Sequence, residues 1–224
     1  AAGRRFSSDR SWDERKAWSM REGFWIHAPA AASLDFAGWE INTAPAPLAL
    51  QQGWQIIPWW YNKHMATDSA LASLGGRAAL LKDGAGHLYW PEEGIDQVGT
   101  LQPGRGYQLY LTAADTLLLP LNRGGAPEPP VSVWTEGSPR HYVPPFRTGA
   151  NAHLLLEAER LTDSDEVAVW AEGRTLAGAG IVQGGRVLIT IWGDDIATPD
   201  FIDGALAGSP LTLTCWSNES GREE

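Results

Sequence analysis

The sequence predicts an all-β protein: two β-sandwich-like modules in tandem, one short helix in the first, preceded by the tail of a truncated repeat. Three observations lead there. Gly 25 and Pro 15 in 224 residues favour short strands and turns over long helices. Short apolar stretches recur between Gly, Asp and Pro turns. One motif occurs twice: residues 23–36 and 106–119 each read Gly-aromatic, apolar strand, Ala-rich turn, second apolar strand.

Residues 1–45 form the C-terminal part of an incomplete repeat, so the chain is expected to be a piece of a longer protein. Lacking its first strands, that part should present an open sheet edge to other protein chains or to copies of itself. Pro-rich joints at 44–47 and 126–130 suit extended connectors and forbid helix. The complete repeat module spans 46–125. It opens with apolar residues at 48–58, and a helix is expected over 67–76, with Thr67 as N-cap and Gly75-Gly76 as the stop. A hairpin should join 78–82 to 87–90 through Asp83-Gly84-Ala85-Gly86, and a turn at 101–106 should feed the Tyr107 strand. The C-terminal β-sandwich module spans 131–218. Its strands are expected at 152–158, 166–171, 175–182, 186–192 and 210–216, with tight turns at Glu172-Gly173 and Gln183-Gly184-Gly185. The polar tail 217–224 reads as frayed.

Composition removes several classes of function. The net charge of −10 with no basic stripe argues against nucleic acid as a partner. No apolar run is long enough for a membrane-spanning helix. Cys215 alone makes an intrachain disulfide impossible and reads as a buried, inert thiol. The five histidines show no paired metal spacing, and there is no Gly-x-Ser-x-Gly elbow or phosphate loop.

Two candidate sites stand out. Trp54, Trp59, Trp60, Tyr61, Tyr89 and Trp90 form an aromatic set suited to the C–H face of a sugar ring. Pro58-Trp59-Trp60-Tyr61 is too crowded for every ring to face one core. The second is the acidic loop with Asp194, Asp195, Asp200 and Asp203, which would offer oxygen ligands to calcium. The competing reading of that loop is a turn in which the carboxylates and Thr198 bond free backbone N–H groups. Asp163-Ser164-Asp165-Glu166 reads as a solvated turn, or else as a further part of such a metal site.

The residues Gly53-Trp54, Lys82-Asp83, Gly86, Tyr89, Pro91 and Pro103-Gly104-Arg105-Gly106-Tyr107 carry a resemblance. Their order resembles repeat modules of large secreted proteins of Bacteroidota-like bacteria, substrates of type IX secretion. The C-terminal part is similar to a β module of the same proteins, through Asp165-Glu166, Val169-Trp170, Leu176-Ala177-Gly178-Ala179-Gly180 and Trp192-Gly193-Asp194-Asp195. The resemblance implies an extracellular or cell-surface setting and a non-catalytic role in scaffolding, adhesion or assembly; it supplies no catalytic residues. The alternative is a carbohydrate-binding module using Trp59, Trp60 and Tyr61. An enzyme is the third reading, with no specific motif behind it.

Overall fold

The computed structural model describes residues 23, 26, 33, 47–119, 138–195, 198 and 200–223. The first copy of the repeated motif, the open edge expected in 1–45 and the joint at 126–130 lie outside these residues, isolated positions such as Gly23 apart. The described residues are mostly strand with one short helix, so the fold is all-β. The chain divides into two compact units: Ala1–Gly84 with Leu88–Trp134, and Ala85–His87 with Thr135–Glu224.

In the first unit, β1 (Pro47–Leu50) and β2 (Gly53–Pro58) are followed by β3 (Met65–Ala66) and helix α1 (Thr67–Leu71). A 3-10 segment, Ala72–Arg77, leads into β4 (Ala78–Lys82) and β5 (Leu88–Trp90). Short strands β6 (Ile95–Asp96) and β7 (Thr100–Leu101) precede β8 (Gly106–Leu111) and β9 (Asp115–Leu118). The main sheet has the order β2-β8-β4-β5-β6, while β1 pairs with β9 and β3 with β7. Alternation along β8 sends Tyr107, Leu109 and Leu111 into the core, where they meet Ile57, Leu81 and Leu101. The expected hairpin is present, with Leu81 opposite Tyr89 and Lys82 opposite Leu88.

The helix start differs from expectation. Ala66 occupies the N-cap position without a side-chain cap, and Thr67 is buried with its hydroxyl 3.5 Å from Asp96 Oδ1. Burial of the first turn takes the threonine side chain away from the backbone donors it would have capped. The end differs too: α1 stops at Leu71, and the 3-10 segment that continues to Arg77 is kinked at Gly75, which sits at φ 55°, ψ −145°.

In the second unit, β10 (Asn151–Glu157), β11 (Glu166–Ala171), β12 (Thr175–Ile181), β13 (Arg186–Trp192) and β14 (Leu211–Ser217) lie within about a residue of expectation. A further strand, β15 (Arg222–Glu223), pairs with Trp216 and Ser217, so the polar tail is not frayed. Gly221 at φ 63° makes the reversal, and the Tyr142 hydroxyl holds Glu223 Oε1 at 2.7 Å. Two sheets result, β10-β13 and β12-β11-β14-β15. Both feed one core of Val167, Val169, Ala177, Val187 and Ile189, with Leu154, Leu156 and Cys215 at its margin.

The Gly178-Ala179-Gly180 stretch has a steric cause. A Cβ at Gly178 would fall on the Thr190 carbonyl oxygen, and one at Gly180 would lie 2.5 Å from that of Leu188. The backbones of β12 and β13 approach too closely there for any side chain.

Candidate functional site

The predicted aromatic set is divided between the two faces of the first unit's sheet. Inward alternation continues past the end of β2, so Ile57, Trp59 and Tyr61 all enter the core. Trp59 is 0% exposed, donates its indole N–H to the Lys63 carbonyl at 3.2 Å and meets Tyr61 edge-on. Trp60 is half-buried against the same core. Tyr89 is buried too, and its hydroxyl donates to Asp68 Oδ1 at 2.6 Å. Burial, then the Asp68 carboxylate, pushes that phenol far above its ordinary value. Trp59, Tyr61 and Tyr89 therefore build the core rather than an exposed platform.

Trp54 is the open member of the set, 40% exposed on β2. It lies opposite Tyr110 of β8, with ring centroids 5.3 Å apart. The Lys82 ammonium sits 5.0 Å from the Trp54 ring, a cation over an aromatic face. Burial pulls the Lys82 ammonium below its ordinary value. Trp90 is half-buried, and alternation from Tyr89 turns it to the face opposite the core.

The acidic loop is a closed turn. Its neck joins Gly193 to Ala205, with Asp194 N–H on the Ala205 carbonyl and Ala205 N–H on that of Trp192. Inside, Asp203 Oδ1 accepts from Asp195 N–H at 2.9 Å, and Asp194 Oδ1 accepts from Asp203 N–H at 3.1 Å. The Thr198 hydroxyl lies 2.8 Å from Asp203 Oδ2, while Asp200 is exposed. Asp194 and Asp203 thus satisfy backbone donors instead of converging on one point. Among the described residues, no group of three His, Cys, Asp or Glu side chains is placed to hold a metal ion.

The second acidic cluster is not a solvated turn, because Asp165 and Glu166 are buried. Glu166 opens β11, and its carboxylate collects three consecutive backbone donors. Arg140 N–H reaches Oε1 at 2.8 Å; His141 and Tyr142 N–H reach Oε2 at 2.9 and 3.0 Å. Asp165 Oδ2 accepts from the N–H and hydroxyl of Thr162, both at 2.9 Å, and Oδ1 accepts from Asn218 N–H. Burial works against the Asp165 charge, but these donors outweigh it and hold the carboxyl below its ordinary 3.8.

A carboxylate with a depressed folded-state pKa stabilises the fold above its unfolded pKa, and that contribution is lost as pH falls through the folded value. Asp165→Asn should therefore melt earlier than wild type near about pH 7, with the gap closing below about pH 3. Parallel melting curves across that range would contradict the assignment.

Fixing residues 140–142 creates an aromatic face that the sequence reading missed. Register places Glu166, Trp170, Thr212, Thr214 and Trp216 on one side of the β11–β14 pair. His141 stacks on Trp216 at 3.7 Å with the planes 9° apart, and Tyr142 meets Trp170 edge-on. A polar chain runs through the rings: Trp170 indole N–H to Thr214, Thr214 to the Tyr142 hydroxyl, and that hydroxyl to Glu223. Burial, with the Glu223 carboxylate, pushes the Tyr142 phenol up to about 12, so it stays protonated at neutral pH. A composition signal existed in Trp170 and Trp216, but His141 and Tyr142 lie in a Pro-rich stretch with no strand pattern.

Among the described residues, the opposite side of β14 is open. Leu211 and Leu213 point to the core side yet are 45% and 48% exposed. Among the described residues, the outer edge of β14 is paired at Trp216 and Ser217, by β15. Phe146 and Phe201, also exposed, pack edge-on at 5.2 Å elsewhere on this unit. No family model, curated protein or solved structure matches the chain. These surfaces offer apolar contact and strand pairing, and no described helix is long and apolar enough to cross a membrane.

Proposed function

We propose that this chain is a non-catalytic, extracellular or cell-surface modular β protein acting in scaffolding, adhesion or assembly. One observation carries the reading: among the described residues, β14 presents an uncharged strand edge with two exposed leucines beside it. Natural sheets blunt such edges with charge, proline or a covering segment unless the edge is used. Residues 209–217 hold no charged side chain, although the chain carries a net charge of −10. The resemblance to repeat modules of type IX secretion substrates supports the location. The alternative, carbohydrate binding, retains Trp54 with Tyr110 and Lys82 as its aromatic surface, since Trp59 and Tyr61 are buried.

Protease treatment of intact source cells tests the location. The expected result is loss of the chain, from the cells or from the medium, while a cytoplasmic marker survives. Protection until the cells are lysed would overturn the proposal.

A further inference from the structure

We propose that two copies of this chain pair through the open edge of β14, antiparallel about a two-fold axis at Thr212. The inference deepens the assembly reading above and rests on it for its biological sense, though not for its geometry.

Backbone alternation provides the first argument. Glu172 N–H donates to the Pro210 carbonyl, and the β11–β14 register then runs without a shift from Leu211 to Trp216. Even-numbered residues of β14 therefore exchange bonds with β11, while Leu211 and Leu213 turn their N–H and C=O groups outward. Each outward residue offers one donor and one acceptor. A two-fold at Thr212 brings Leu211 of one copy opposite Leu213 of the other, so that the two exchange both bonds, and the symmetry repeats the pair.

Side chains provide the second. A perpendicular two-fold keeps the faces of the joined sheets in register, so leucine lands opposite leucine on the core side. There the 45% and 48% exposed side chains would cover one another. The Leu211-Thr212-Leu213-Thr214 alternation is thus self-complementary. Electrostatics provides the third. Two chains of net charge −10 repel, and their approach is least opposed where the surface is neutral, as 209–217 is. A basic partner would find no carboxylate on this stretch to recognise.

Sedimentation velocity on the full chain, from about 1 to 100 µM, reads the mass. The expected result is a shift to twice the chain mass, abolished by Leu213→Lys. A second variant avoids dependence on that substitution folding. Thr212 would sit across the axis from its own copy in a non-hydrogen-bonded pair, with Cα atoms about 4.5 Å apart, within disulfide reach. Thr212→Cys in a Cys215→Ala background should form a covalent dimer on oxidation. A monomer at the highest concentration, a dimer indifferent to Leu213→Lys, or a dimer that Thr212→Cys does not link would each overturn the proposal. A cell-surface chain that stays monomeric would sink the pairing alone. A dimer confined to the cytoplasm would sink the functional reading alone.

Discussion

Trp59→Ala is expected to destabilise the first unit by about 4 kcal/mol, the upper range for deleting a buried aromatic. The indole is 0% exposed, meets Tyr61 edge-on and belongs to the same core as Ile57, Leu101 and Tyr107. Its surroundings are held by backbone bonds on both sides: Trp59 N–H donates to the Arg105 carbonyl, and Gly104 N–H to that of Trp59. Those bonds leave the walls little room to collapse into the space. Trp54→Ala, on the exposed face, should cost under about 1 kcal/mol. Thermal or urea unfolding of the two variants side by side makes the comparison. Equal losses would mean that Trp59 is not the interior ring described above.

Glu166→Ala should cost about 3 kcal/mol, since hydrogen bonds to charged groups contribute more than neutral ones and three donors lose their acceptor together. Arg140, His141 and Tyr142 would be released, and with them the His141–Trp216 stack. Glu166→Gln should recover only part of the loss, because its amide nitrogen turns donors toward donors. The check is the melting temperature together with the near-ultraviolet circular dichroism of Tyr142, Trp170 and Trp216. A variant melting within about 2 °C of wild type, with an unchanged aromatic signal, would show that the clamp is dispensable.

What was legible in the sequence was local. The five long strands of the second unit are marked by short apolar stretches bounded by turns whose chemistry is written in adjacent letters. Gly184 and Gly185 both take positive φ between bonded Gln183 and Arg186, as the Gly-Gly pair implies. What was not legible was distant. Glu166 meets partners some two dozen positions earlier, and no local pattern distinguishes a carboxylate that receives three N–H groups from one facing water. β15 depends on a reversal at Gly221 and on Tyr142 reaching Glu223 from far along the chain. Trp59 and Tyr61 follow the strand's alternation beyond its last paired residue, which Pro58 made look like an ending.

The approach of β12 to β13 sets a limit on how this protein can diversify. At Gly178 and Gly180 the spacing is dictated by the peptide itself. Elsewhere in the interior one aliphatic can replace another and neighbouring rotamers absorb the difference; here no lighter or heavier substitute exists. A library randomised across the second unit would tolerate exchanges at Val167 or Val187 long before either glycine. Descendants of this sequence would keep that pair while losing most of what surrounds it.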